Sequence, residues 1–137
     1  MKLSQIKKGV RNVTGGAWVK DIPIEALEGV AFRVRGARNP DALRLRGEML
    51  SDFTAEQRKV LPAETVAEIF AEVMARAVLL DWNLTDDDDQ PIPFSADAAL
   101  QMLTDSEIGE TMRAGVAWCA AVVAQQGAET LEADAKN

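Results

Sequence analysis

The chain has 137 residues, 47% of them hydrophobic and 27% charged, with a net charge of -7, which is the size and composition of one globular domain. A single cysteine, Cys119, and no histidine leave no internal disulfide, point to a reducing compartment, and remove the usual base of a serine or cysteine nucleophile. The basic start MKLSQIKKGVRNVTGG lacks the apolar core of a signal peptide, and the longest uncharged run, Ala114 to Ala128, is shorter than the ~20 residues that span a bilayer.

Charge is unevenly placed along the chain. Residues 1–60 carry twelve Lys/Arg against seven Asp/Glu, and residues 61–137 carry three against fifteen. Such asymmetry marks an interaction surface. The pI near 4.6 disfavours nucleic acid as the partner of the basic half, which leaves contact between the basic half of one copy and the acidic half of another.

In chain order, Ala31-Phe32-Arg33-Val34-Arg35 alternates apolar and charged residues, the period of a half-buried strand. Ala17-Trp18-Val19-Lys20 is its partner in a small hairpin over about residues 16–36. Asn39-Pro40-Asp41 reads as cap, first-turn proline and first-turn acid of a helix carrying Leu43, Leu45, Met49 and Leu50. Thr54-Ala-Glu-Gln57 has the form of a capping box. From Pro62, the residues Val66, Ile69, Phe70, Val73, Ala77 and Leu80 keep one apolar stripe, predicting a helix that runs to Leu80. Ser95 caps a helix with Ala99, Leu100 and Leu103. Asp105 or Ser106 caps a last one, with Ile108, Met112, Val116, Cys119 and Val123, stopped at Gly127. Its small residues, Gly115 among them, allow a neighbour to approach closely. The fold expected is mainly α: a compact domain of about four to five helices with an N-terminal β-hairpin over residues 1–127, followed by a flexible acidic tail over 128–137.

The stretch LLDWNLTDDDDQPIPFS, residues 79–95, invites a calcium-loop reading, but counted from Asp81 the obligatory loop glycine falls on Asp86 and the bidentate glutamate on Ile92. A solvated acidic turn is the better reading. Cys119 lies on an apolar helical stripe, as a buried structural thiol does. No phosphate-cradling glycine loop is visible. No enzyme, cofactor or metal site is expected, and the chain should work by binding protein.

Three stretches in order, GAWV to RGARNP at 16–40, LLDWNLTDDDDQPIPFS at 79–95 and ADAALQMLTD at 96–105, resemble the tail assembly chaperones of long non-contractile-tailed, lambda-like phages and prophages. In that family the central region reads as Leu and Trp, an acidic turn, a proline-flanked apolar residue, an aromatic, and a Ser or Thr capping a helix. Here Trp82, Asp86 to Asp89, Pro91, Pro93, Phe94 and Ser95 stand in those places, with Trp18 in the N-terminal stretch. Gln90 departs from the pattern, where a turn glycine is common.

The resemblance implies a protein that coats the tape measure protein, recruits tail tube subunits, self-associates, acts in the host bacterial cytoplasm and is absent from the mature virion. It also implies a second, frameshifted product extended beyond the C-terminus. Binding residues suggested by charge are Arg33, Arg35, Arg38, Arg44 and Arg46 on the basic side and Asp86, Asp87, Asp88 and Asp89 on the acidic side. Contact between such unlike surfaces is heterologous and builds an open spiral unless it closes into a ring. The alternative is a small intracellular adaptor or regulator that binds one protein, or nucleic acid through the same arginines.

Overall fold

A computed structural model describes residues 2–136, apart from the side chains at 8, 9, 12, 13 and 127–136. In chain order the elements are α1 (Leu3–Gly15), β1 (Ala17–Val19), a 3-10 turn (Glu25–Leu27), β2 (Phe32–Val34), α2 (Pro40–Leu50), α3 (Ala55–Lys59), α4 (Ala63–Val73), a π-helical turn (Met74–Val78), β3 (Leu79–Trp82), α5 (Ala96–Leu103) and α6 (Gly109–Lys136). The domain is mainly helical, with six helices among the described residues and one small antiparallel sheet in the order β1-β2-β3.

Local chemistry places most of these elements. Asn39 Oδ1 accepts from the Ala42 N–H at 3.0 Å to start α2, and the Thr54 and Gln57 side chains satisfy each other's backbone N–H groups around α3. Ser95 Oγ accepts from the Ala98 N–H at 3.0 Å to start α5. The hairpin forms with Ala17 opposite Val34, Trp18 opposite Arg33 and Val19 opposite Phe32. At the residue that joins α1 to β1, Gly16 has φ +84° and lies under Leu80 and the Val34 carbonyl, so a side chain there would be strained and would collide.

Three elements depart from the sequence expectation. The helix predicted from Pro62 to Leu80 ends at Val73; after one π turn the chain becomes the third strand. Two strands alone are marginal in water, and pairing with β2 outweighs the helical spacing of the stripe. In this pairing Phe32 faces Trp82, Arg33 faces Asp81 and Val34 faces Leu79, so Leu80 is an extra residue. Strand alternation would put Trp82 and Leu80 on one side. The bulge at Leu80 shifts the parity, so Leu79 and Trp82 are both buried while Asp81 stays beside Arg33 on the outer face.

The second departure is α1, an amphipathic helix that the hairpin-and-bundle expectation lacks; the Gln5 Oε1 accepts from the Lys2 N–H at 2.9 Å and opens it. The third is the stop at Gly127, where α6 instead continues to Lys136. A glycine inside a helix costs only ~1 kcal/mol relative to alanine, and the residues beyond it are good helix formers. The flexibility expected of the 128–137 tail concerns residues outside the described ones or with side chains outside them.

Helix α6 packs against β1 and β2, with α1 against it, while α2, α4 and α5 gather around the π turn. Phe32, Val34, Val78, Leu103, Val116 and Cys119 are fully enclosed in the core between these groups. The close approach expected of α6 is made at Gly115, where an added Cβ would strike the Leu27 side chain.

Candidate functional site

The acidic stretch forms a closed hairpin loop. Thr85 bridges Pro91, the Ile92 N–H donates to the Leu84 carbonyl at 2.9 Å, and the Asp86 N–H donates to the Gln90 carbonyl at 2.9 Å. The turn is closed by the Asp89 N–H to the Asp86 carbonyl at 3.0 Å, and Asp89 has φ 59°. This is a turn followed by a left-handed residue, a common hairpin loop. The left-handed place falls on Asp89, one residue before Gln90, and aspartate tolerates it better than most side chains. Asp86 is exposed but not idle: its Oδ1 accepts from the N–H groups of Asp88 and Gln90 at 2.8 and 3.0 Å. Asp87, Asp88 and Asp89 are exposed as well.

The base of this loop is held by aromatic packing. Trp82 and Phe94 meet edge to face, with ring centroids 5.0 Å apart and planes at 80°, a favoured arrangement. The Trp82 Nε1–H donates to the Ile92 carbonyl at 2.7 Å, which fixes the residue between Pro91 and Pro93. Pro91 and Pro93 are exposed, whereas Ile92 and Phe94 are half-buried against the core. Ser95 spends its hydroxyl oxygen on the α5 cap. Trp18 is different: 53% exposed on β1, it shares the outer sheet face with Arg33 and Asp81.

The five arginines do not form one binding patch. The half-buried Arg35 donates through Nε to the Thr14 carbonyl and through a terminal nitrogen to Asp41 at 2.8 Å, clamping the end of α1 to the start of α2. Arg44 meets the other oxygen of Asp41 at 3.1 Å. The Arg35 guanidinium holds the Asp41 carboxyl below its ordinary value, with Arg44 adding to the effect. Arg33 lies on the sheet face, and Arg38 and Arg46 stand together elsewhere.

That place is a groove of about 200 Å³ between α2 and α4. Its floor is apolar and buried, formed by Ala42, Ile69, Val73 and Met74. Its lips are Leu43 and Val66, 44% and 52% exposed, and Arg38 and Arg46 are the charged side chains lining it. Neither arginine has an ion pair or hydrogen bond among the described residues. The groove was not foreseen from the sequence, because Leu43 and Val66 sit on stripes that a helix ordinarily buries whole.

Asn39 anchors both walls of this groove. Among the described residues it is the buried polar side chain of the core, with its Nδ2 donating to the Gly36 and Ala77 carbonyls at 2.8 and 2.7 Å while Oδ1 caps α2. The Ala77 carbonyl lies in the π turn that follows α4, so one side chain joins the start of α2 to that turn. Burial pushes the Cys119 thiol up to about 11, where it is protonated and inert at neutral pH. Among the described residues no three acidic or thiol side chains are placed to hold a metal ion, and no helix is long and apolar enough to cross a membrane.

Residues 37–137 match the family model described as YdaY prophage protein. The match takes in the whole groove and the acidic hairpin and leaves out α1 and the β1–β2 hairpin. No curated protein and no solved structure matches the chain.

Proposed function

The chain belongs to the YdaY prophage protein family, and from that premise we propose that it is a tail assembly chaperone working by protein binding without catalysis. In this reading it acts in the host cytoplasm, holds apolar helical segments of the tape measure protein, brings tail tube subunits to them, associates with copies of itself, and leaves before the virion is complete. The observation that supports the reading is the groove between α2 and α4: an apolar surface left open between two helices of a prophage protein. Such grooves take an amphipathic helix through residues spaced i, i+3, i+4 and i+7, the pattern of a long helical scaffold protein.

The arginine set gives little support to nucleic-acid binding, since Arg35 and Arg44 are committed to Asp41. The test is co-expression of the tagged chain with the tape measure protein encoded by the same prophage. Co-purification, and rescue of the tape measure protein from the insoluble fraction, is the expected result. An insoluble tape measure protein and an unaccompanied chain would end the proposal and favour the adaptor alternative.

A further inference from the structure

We infer that the groove between α2 and α4 selects its occupant by charge, taking an amphipathic helix of another protein whose apolar stripe is flanked by acidic residues. This deepens the binding role proposed above and rests on it. The apolar floor and the exposed lips Leu43 and Val66 supply the surface that a partner would cover. α2 has eleven residues, about 16 Å at the rise of an α-helix, so a partner helix of about three turns matches the wall.

Arg38 and Arg46 decide the polarity of the occupant. They are exposed, they line the groove without an ion pair among the described residues, and they do so in a chain of net charge -7. The other arginine of α2, Arg44, is engaged by Asp41. Exposed ion pairs add little affinity, but unlike charges on a rim reject partners of the wrong sign and set orientation. The acidic C-terminal stretch of a second copy is a poor match, because AETLEADAKN offers one large apolar residue, Leu131, to a groove lined by many.

The experiment uses the full chain and two synthetic helical peptides of about three turns. Both carry leucines at i, i+3, i+4 and i+7; one has Glu on its flanks and its twin has Lys. Calorimetric titration at low salt should show the Glu peptide binding at least about tenfold tighter than the twin, with the gap narrowing in about 0.5 M salt. The double variant Arg38→Glu/Arg46→Glu should invert the preference, and Val66→Asp should weaken both peptides, with each variant melting as the native chain does.

Equal binding of the twins, no binding of either, or an unchanged preference in the double variant would overturn the inference. So would a concentration-dependent dimer that the double variant dissolves, because the occupant would then be a second copy. Capture of the tape measure protein that survives in the double variant removes the charge inference and leaves the chaperone role standing. Discrimination of the peptides by a chain that captures no tape measure protein does the reverse.

Discussion

The acidic hairpin and the α2–α4 groove are built on opposite principles. The hairpin, residues 84–92, carries four consecutive aspartates, yet its interactions are turned on itself: Asp86 holds two loop N–H groups, Trp82 holds the Ile92 carbonyl, and Phe94 forms a T-shaped pair with the indole. The groove carries no eye-catching motif, yet it leaves Leu43 and Val66 in water and Arg38 and Arg46 without partners among the described residues. The difference teaches that a conspicuous sequence run can be consumed in closing a loop, while ordinary helical stripes hold the surface that is still open for binding.

The sharpest way to break the contrast is Trp82→Ala. The ring is 5% exposed and bridges the loop to the core, so its loss should cost ~3–5 kcal/mol, a large share of a domain's stability. Urea unfolding monitored by circular dichroism reads it; a change below about 1 kcal/mol would show that the hairpin is held from elsewhere.

Asn39→Ala tests the groove from beneath. It removes the α2 cap, worth ~0.5–2 kcal/mol, and leaves the buried Ala77 carbonyl without its donor, at ~1–3 kcal/mol. The same unfolding measurement should give ~2–4 kcal/mol. Asn39→Asp keeps the cap acceptor but turns a second carboxylate oxygen onto the Gly36 and Ala77 carbonyls in the core, and should be at least as costly as Asn39→Ala at neutral pH.

Acid should loosen the two carboxylates that join elements. Asp41 is held below its ordinary value near 3.8 by Arg35, and Asp105 by the N–H groups of Ile108 and Glu107 at the start of α6. A carboxyl whose pKa is lower folded than unfolded binds more protons when unfolded, so its stabilisation is present above about pH 4 and lost as pH falls through the depressed value. Melting temperature should therefore drop from pH 4 downward. Asp41→Asn with Asp105→Asn should flatten that slope, and a slope unchanged in the double variant would assign the acid sensitivity to other groups.

The smallest effects should come from the surfaces themselves. Asp87→Asn and Asp88→Asn alter exposed side chains of the turn, and each should change stability by less than ~0.5 kcal/mol. Asp86→Ala should cost more than either neighbour, because it removes two hydrogen bonds. Parity among Asp86, Asp87 and Asp88 in thermal melts would mean that the loop does not depend on its own carboxylate.

What could be read from sequence was what local chemistry encodes. The β1–β2 hairpin followed from the alternation around Arg33. The starts of α2, α3 and α5 followed from Asn39-Pro40, Thr54 with Gln57, and Ser95, because a cap and its acceptor lie within three or four residues. β3 did not follow, since Leu79 and Leu80 continue a helical stripe and only pairing with β2, over forty residues earlier in the chain, makes them a strand. α1 was illegible because its opening acceptor, Gln5, pairs with the backbone of Lys2, a residue without a capping side chain. Among the proposed binding residues, charge alone could not separate Arg35, a clamp, from Arg38 and Arg46, which line a groove; the distinction depends on where Asp41 lies.

The single thiol gives this fold a built-in clock. With Cys119 enclosed and protonated in the core, a thiol reagent reacts only with molecules that have opened. Burial holds the thiol protonated in the closed form, so the thiolate that reacts comes from the open one. The rate of modification in native buffer thus counts how often α6 parts from the sheet, and when reclosing is fast it yields the free energy of that opening without denaturant. Because the reporter sits on α6, and not on the groove or the hairpin, a bound partner that slows the clock does so by steadying α6 against the sheet, away from its own contacts.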